Sequence, residues 1–131
     1  MQRGEIWWAD LPAPVHRHPV AVVSRDVSPN GRGTVVVARI TARIRETPAE
    51  VPLGSEDGLP QTVINTEVLS TIPSAALVSR IACLSQAKLA QLDKALRYVL
   101  DLPAADSEQR LPVKNARQHF GGSLFTRWQS H

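Results

Sequence analysis

His16, Arg17 and His18 stand together immediately before Pro19, and Arg39, Thr41 and Arg43 recur at alternate positions further along the chain. Imidazoles exchange protons near neutrality, guanidiniums carry a fixed positive charge, and a threonine hydroxyl can donate a hydrogen bond. Cleavage of a phosphodiester needs those parts: a cation for the charge that develops around pentavalent phosphorus, proton transfer at the 2′-hydroxyl and the leaving oxygen, and a hydroxyl donor. RNA brings its own nucleophile, so such a set works without a metal. Residue types alone leave the reading open, because basic residues beside a proline also make an ordinary exposed loop. Other chemistries find less support. The sequence contains no GxxxxGK, no GxGxxG after a strand, no HExxH and no serine or cysteine nucleophile motif, which argues against an NTPase, a Rossmann enzyme or a zinc hydrolase. The one cysteine, Cys83, cannot form an internal disulfide or a cysteine cluster for zinc, and is expected as a small buried apolar residue. No cofactor is expected.

Charge is distributed unevenly around these residues. Between Arg17 and Arg45 lie Arg17, Arg25, Arg32, Arg39, Arg43 and Arg45 against Asp26 alone, whereas Glu46, Glu50, Glu56, Asp57 and Glu67 follow with no basic residue among them. That polarity suits a face for a polyanion, though solvated strand arginines would give the same count. At 131 residues, 43% hydrophobic and 21% charged, the chain has the composition of one globular domain. No apolar run approaches the roughly 20 residues of a membrane span, and no signal core follows the first residues, so a cytoplasmic protein with no membrane partner is expected.

Ten prolines and seven glycines favour short strands over long helices. Strands are predicted at Gly4 to Asp10, Pro19 to Arg25, Thr34 to Thr41 and Ala49 to Leu53, with shorter pieces at Thr62 to Asn65, Val68 to Ile72 and Leu77 to Ala82. Their count and spacing describe a small, strongly bent antiparallel sheet, barrel-like in form. If the second and third strands are neighbours, the His16–His18 and Arg39–Arg43 groups meet at one edge. Trp7 and Trp8 point to opposite faces of the first strand. Ser85 then caps a helix whose Leu89, Leu92, Leu96 and Val99 form an apolar stripe and whose Lys88, Asp93, Lys94 and Arg97 make a solvated face. Residues 103 to 131 have no sustained period and read as a tail, with Phe125 and Trp128 as an aromatic pair able to dock.

Six segments in collinear order carry a family resemblance: RGEIWWADL (Arg3 to Leu11), HPVAVVSRD (His18 to Asp26), VVVARIT (Val35 to Thr41), EVPLGSEDGLP (Glu50 to Pro60), VIN (Val63 to Asn65) and LSQAKLAQLDKALRYVL (Leu84 to Leu100). Over about residues 3 to 102 the chain resembles the MazF/PemK growth-inhibitor toxins of bacterial toxin–antitoxin systems, which implies a toxin domain at residues 1–102 followed by the tail at 103–131. The resemblance implies a β-rich α+β fold, an SH3-like small barrel with a C-terminal amphipathic helix, assembled as a homodimer. It also implies metal-independent, sequence-specific cleavage of single-stranded RNA to 2′,3′-cyclic phosphate and 5′-hydroxyl ends, with a cognate antitoxin covering the RNA groove.

In that family an arginine directly before the proline of the second strand and a threonine ending the third carry catalysis. Thr41 matches the threonine, but His18 stands in the arginine position with Arg17 one residue earlier. Arg39 likewise stands where the family commonly has proline. The resemblance therefore implies His18, Arg17 and Thr41 as the catalytic candidates and Asn65 as an RNA-binding one, and the basic run adds Arg25, Arg39, Arg43 and Arg45 as RNA-binding candidates, with three outcomes open: His18 transfers the proton, Arg17 or Arg39 reaches the same space, or cleavage is impaired. Asn65 and Glu67 fit packing at a turn equally well. Two alternatives keep the fold and drop the chemistry: a silent relative that only binds antitoxin or RNA, and a CcdB-like gyrase poison, whose C-terminal Trp-Gly-Ile differs from Trp128-Gln129-Ser130-His131 here.

Overall fold

β-Branched and aromatic residues dominate six extended segments, and turn residues separate them. The computed structural model describes residues 2–25 and 33–103. It contains β1 (Glu5–Asp10), β2 (Arg17–Val22), β3 (Thr34–Thr41), β4 (Glu50–Leu53), β5 (Thr62–Pro73), β6 (Leu77–Cys83) and helix α1 (Gln86–Leu100), with single 3-10 turns at Ser55–Asp57 and Ser74–Ala76. The strands form one antiparallel sheet in the order β4-β5-β3-β2-β1-β6, curled into a half-barrel. The expected β-rich class with a C-terminal helix is what the chain adopts.

Each face of the sheet has its own core. On one, Ile6, Ala21, Ala38, Ile40 and Ile64 pack against Leu92 and Ala95 of α1. On the other, Ala9, Val20, Val22, Val35, Val37, Ile72 and Leu77 close over one another with Trp7 and Leu11 at the margin. Strand alternation sends neighbours to opposite clusters, so β2 and β3 are apolar along their whole middle and both faces are covered. Burying Leu92 fully contributes about 2 kcal/mol relative to exposing it. The helix starts at Ser85, whose hydroxyl accepts the Lys88 amide at 3.2 Å, and ends at Asp101, whose positive φ of 57° closes the last turn. Its polar residues are not all solvated as the sequence suggested: Asp93 pairs with Arg3 and the Lys88 ammonium donates to the Pro52 carbonyl. Gly4 lies under the helix with φ of 94°, and a Cβ there would meet Leu89 Cδ2 at 2.7 Å, so both its conformation and its closeness to α1 require glycine.

Several boundaries differ from the sequence reading. β2 starts two residues earlier, at Arg17, because Arg17 and His18 continue the ladder with Asp10 and Ala9. The pieces predicted at Thr62 to Asn65 and Val68 to Ile72 are one strand, β5, which pairs along the whole of β3. A bulge disguised that continuity. Ala38 is opposite Leu69 while Arg39 is opposite Asn65, leaving Thr66, Glu67 and Val68 without partners on β3. Thr66 fastens the bulge with two bonds to the Ala49 carbonyl, 3.1 Å from its amide and 2.6 Å from its hydroxyl. The Asn65 side chain fastens it again by accepting the Glu67 amide at 3.0 Å.

β6 is an edge strand, and its ladder with β1 skips Ile81 and Val78. Cys83 on this edge is exposed, contrary to the expectation of a buried thiol, because β1 covers only one side of the strand. Beside it Glu5 is buried at 7% exposure. Its carboxylate accepts the Trp7 indole N–H at 2.9 Å and faces Arg80 at 3.3 Å. Burial alone would raise its pKa, but the Trp7 bond, the Gln2 amide and the Arg80 charge together hold the carboxyl below its usual range.

Candidate active site

β2 and β3 are adjacent, as the meeting of the two basic groups required, with Val20 opposite Arg39 and Val22 opposite Val37. Cross-strand partners share a face and residues two apart share it again. His18, Arg39 and Thr41 therefore lie on one face of the sheet, the face of Val20 and Val22. A direct bond ties the strands there: His18 Nε2 is 2.7 Å from the Ile40 carbonyl oxygen. A carbonyl only accepts, so Nε2 is the donor in this bond and Nδ1 takes no part in it.

Thr41 ends β3, and its Oγ1 accepts the Arg43 amide at 3.1 Å. That bond uses a lone pair of the hydroxyl and leaves its hydrogen to donate. Arg39 is half-buried and borders a cleft of about 430 Å³ between the β1–β2 loop (Leu11, Pro12, Ala13, Val15) and the end of β5 (Ser70–Pro73). Arg17 goes elsewhere. It alternates to the opposite face from His18, is directly across from Asp10, and pairs with that carboxylate at 3.2 Å with both side chains more than half exposed.

The remaining RNA-binding candidates differ in exposure, and none of them lines the cleft. Arg25 and Arg43 are exposed. Arg45 is exposed and faces Glu67 on the bulge at 3.8 Å, while its amide and that of Glu46 are held by the Glu50 carboxylate at 2.7 to 3.1 Å. Asn65 is buried at 6% exposure, opposite Arg39, with its Oδ1 committed to the bulge. Trp7, two strands from Arg39 in the same cross-strand row, is half-buried, as is Trp8 on the other face. Phe125 and Trp128 lie outside the described residues, as does Asp26.

Sequence reasoning missed the cleft walls at Leu11–Val15 and Ser70–Pro73, because the bulge displaces the second half of β5 by three positions from where a regular ladder would put it. It also missed Asp10 as the partner of Arg17. That signal was present, since a hairpin turning at Pro12–Pro14 brings those two strand ends together. Among the described residues no group of three or more His, Cys, Asp or Glu is placed to hold a metal, and no helix is long and apolar enough to cross a membrane.

Comparison with known proteins agrees with this geometry. Residues 2–100 match the family described as PemK-like, MazF-like toxin of type II toxin-antitoxin system. The Mycobacterium tuberculosis protein named probable endoribonuclease MazF5 is 32% identical over 101 residues, covering 76% of this chain and 92% of that protein. A mycobacterial endoribonuclease solved in complex with its cognate antitoxin superposes with a TM-score of 0.69 at 26% identity, covering 79% of this chain and 98% of that one. The M. tuberculosis toxin MazF-mt6 superposes with a TM-score of 0.67 at 30% identity over 76% of this chain and 99% of its own. With matched sequence over nearly all of its described length and the same half-barrel and helix, this chain belongs to the PemK/MazF-like family of toxins of type II toxin–antitoxin systems.

Proposed function

We propose that the protein is a metal-independent, sequence-specific endoribonuclease that cleaves single-stranded RNA, restrained in the cytoplasm by a cognate antitoxin and working as a homodimer. The toxin domain is residues 1–102, and residues 103–131 are an appendage to it. The observation that carries the catalytic reading is the β2–β3 pairing, which puts the residue at the family's arginine position on the same face of the sheet as Thr41, where the His18–Ile40 bond holds its ring.

The 2′-oxygen attacks phosphorus, the P–O5′ bond breaks, and the products are a 2′,3′-cyclic phosphate and a 5′-hydroxyl. His18, as imidazolium, gives a proton from Nδ1 to the leaving 5′-oxygen. The 2′-hydroxyl proton passes to solvent, and the ring is reprotonated from solvent, so protons balance over the cycle. The Thr41 hydroxyl donates to a phosphoryl oxygen as charge builds there. Arg17, tied to Asp10 on the other face, braces the hairpin entrance instead of joining the reaction. Arg25, Arg43 and Arg45 attract the RNA backbone, and Asn65 contributes through the bulge it shapes. The gyrase-poison alternative is not favoured, since the relatives of this chain are named endoribonucleases.

Incubating the purified protein with a long RNA and mapping 5′-hydroxyl ends tests the reading. Cleavage at a recurring short sequence is expected, and Thr41→Ala should slow it roughly ten- to a thousandfold with RNA binding nearly unchanged. An RNA left intact would identify a silent binder on the same fold.

A further inference from the structure

With histidine in the position of the family's arginine, and Arg17 turned to the other face of β2 and paired with Asp10, β2 offers no fixed positive charge on the face of Thr41. We infer that Arg39 restores it from β3, binding the scissile phosphate and stabilising the charge that develops on its non-bridging oxygens; this rests on the ribonuclease reading above.

Four observations carry the assignment. Arg39 is opposite Val20, so its side chain leaves the sheet on the face that His18 and Thr41 share. It borders the cleft between the β1–β2 loop and the end of β5. The guanidinium has no carboxylate partner among the described residues, whereas Arg3, Arg17, Arg45 and Arg80 each have one. It is half-buried, so a phosphate reaching it in the cleft is bound partly out of bulk water, where a charge-assisted pair is strong. The bulge opposite completes the arrangement, because β5 leaves the ladder immediately beside Arg39 and turns Glu67 toward Arg45. No acidic side chain across the strand then competes for Arg39. Its direct neighbour is neutral Asn65, whose own oxygen is occupied by the Glu67 amide.

The positive charge and the proton donor are thus divided between two strands. His18 can lose its proton to the leaving oxygen while Arg39 keeps its charge, so electrostatic stabilisation of the phosphorane persists after proton transfer.

The test uses the full-length protein and an oligoribonucleotide containing a site mapped on the long RNA. Single-turnover rates are compared for wild type, Arg39→Lys and Arg39→Gln, with affinity measured separately on the same oligonucleotide carrying a 2′-deoxy sugar at the cleaved position. Arg39→Gln should lose about 10² to 10³ in rate and at most several-fold in affinity, and Arg39→Lys should recover part of the rate. A third readout distinguishes contact from mere support. Sulfur in place of the non-bridging oxygen that Arg39 contacts should slow wild type, and should slow Arg39→Gln no further, because the lost donor and the lost acceptor are one interaction. Wild-type cleavage with an equally fast Arg39→Gln, equal losses in rate and affinity, or an unchanged sulfur effect in Arg39→Gln would each overturn the assignment while leaving the ribonuclease reading in place. A wild-type protein that yields no 5′-hydroxyl ends overturns both.

Discussion

A histidine beside the second-strand proline changes how the site responds to acid. Arginine stays charged at every accessible pH, whereas an imidazole changes charge between pH 5 and 8. With His18 acting as the acid, cleavage should fall as pH rises, the limb of a group that works only when protonated. His18→Arg should remove the limb and keep some activity, and His18→Gln should cost about 10² to 10⁴. Arg17→Gln should change little, since Arg17 pairs with Asp10 in solvent, a contact worth at most about 1 kcal/mol. A rate flat from pH 5.5 to 8 together with an active His18→Gln would rule out the histidine mechanism. The sequence named both candidates but could not choose between them. Only strand alternation, once Arg17 was known to belong to β2, separates the residue facing Thr41 from the one facing away.

The strands that hold this site are fixed by contacts far from it, and Glu5 is one that can be titrated. Its carboxylate is stabilised in the folded protein, so its pKa lies lower there than in the unfolded chain. The resulting stability is present above the ordinary glutamate range, near 4.3, and disappears as pH falls through the lowered folded value. Thermal unfolding of wild type and Glu5→Gln should therefore differ most near neutrality and converge once the pH has fallen below the lowered folded value. A difference constant from pH 7 to 3 would mean that the charge on Glu5 contributes nothing. Most elements of the fold could be read from the sequence, because each has an unmixed period: the β-branched runs of β2 and β3 and the leucine stripe after Ser85 leave little choice. β5 was misread for a physical reason. Its polar centre, Asn65 to Glu67, looks like a loop between strands, yet Thr66 is fully buried and bonded to Ala49. Bulges take polar residues for the same hydrogen-bonding reasons that turns do. The exposure of Cys83 escaped notice because it depends on which strand forms the sheet edge, a matter of topology that local pattern does not encode.

At the scale of the whole molecule, the net charge of +3 understates the field near the site. Arg25 lies in the connection between β2 and β3, and Arg43 and Arg45 in the connection between β3 and β4, and all three contact the RNA backbone in the function proposed above. Each phosphate contact removed should lower the salt dependence of binding by about 0.7, so the triple change to Gln should reduce the slope by about 2. Unaltered affinity and slope would make these arginines a solvated surface. Removing residues 103 to 131 should leave cooperative unfolding unchanged, since the family match ends at residue 100 and α1 is capped at Asp101. A truncated chain that melts without cooperativity would place Phe125 and Trp128 in the core. The bulge of β5 has a consequence for divergence within such a family. Its two ends are pinned independently, by Asn65 and Thr66 on one side and by the Leu69–Ala38 pair on the other. Residues can be gained or lost between those pins without shifting register on either side. The three-residue insertion beside Arg39 can therefore drift in length and composition while the strands on either side of it keep their pairing.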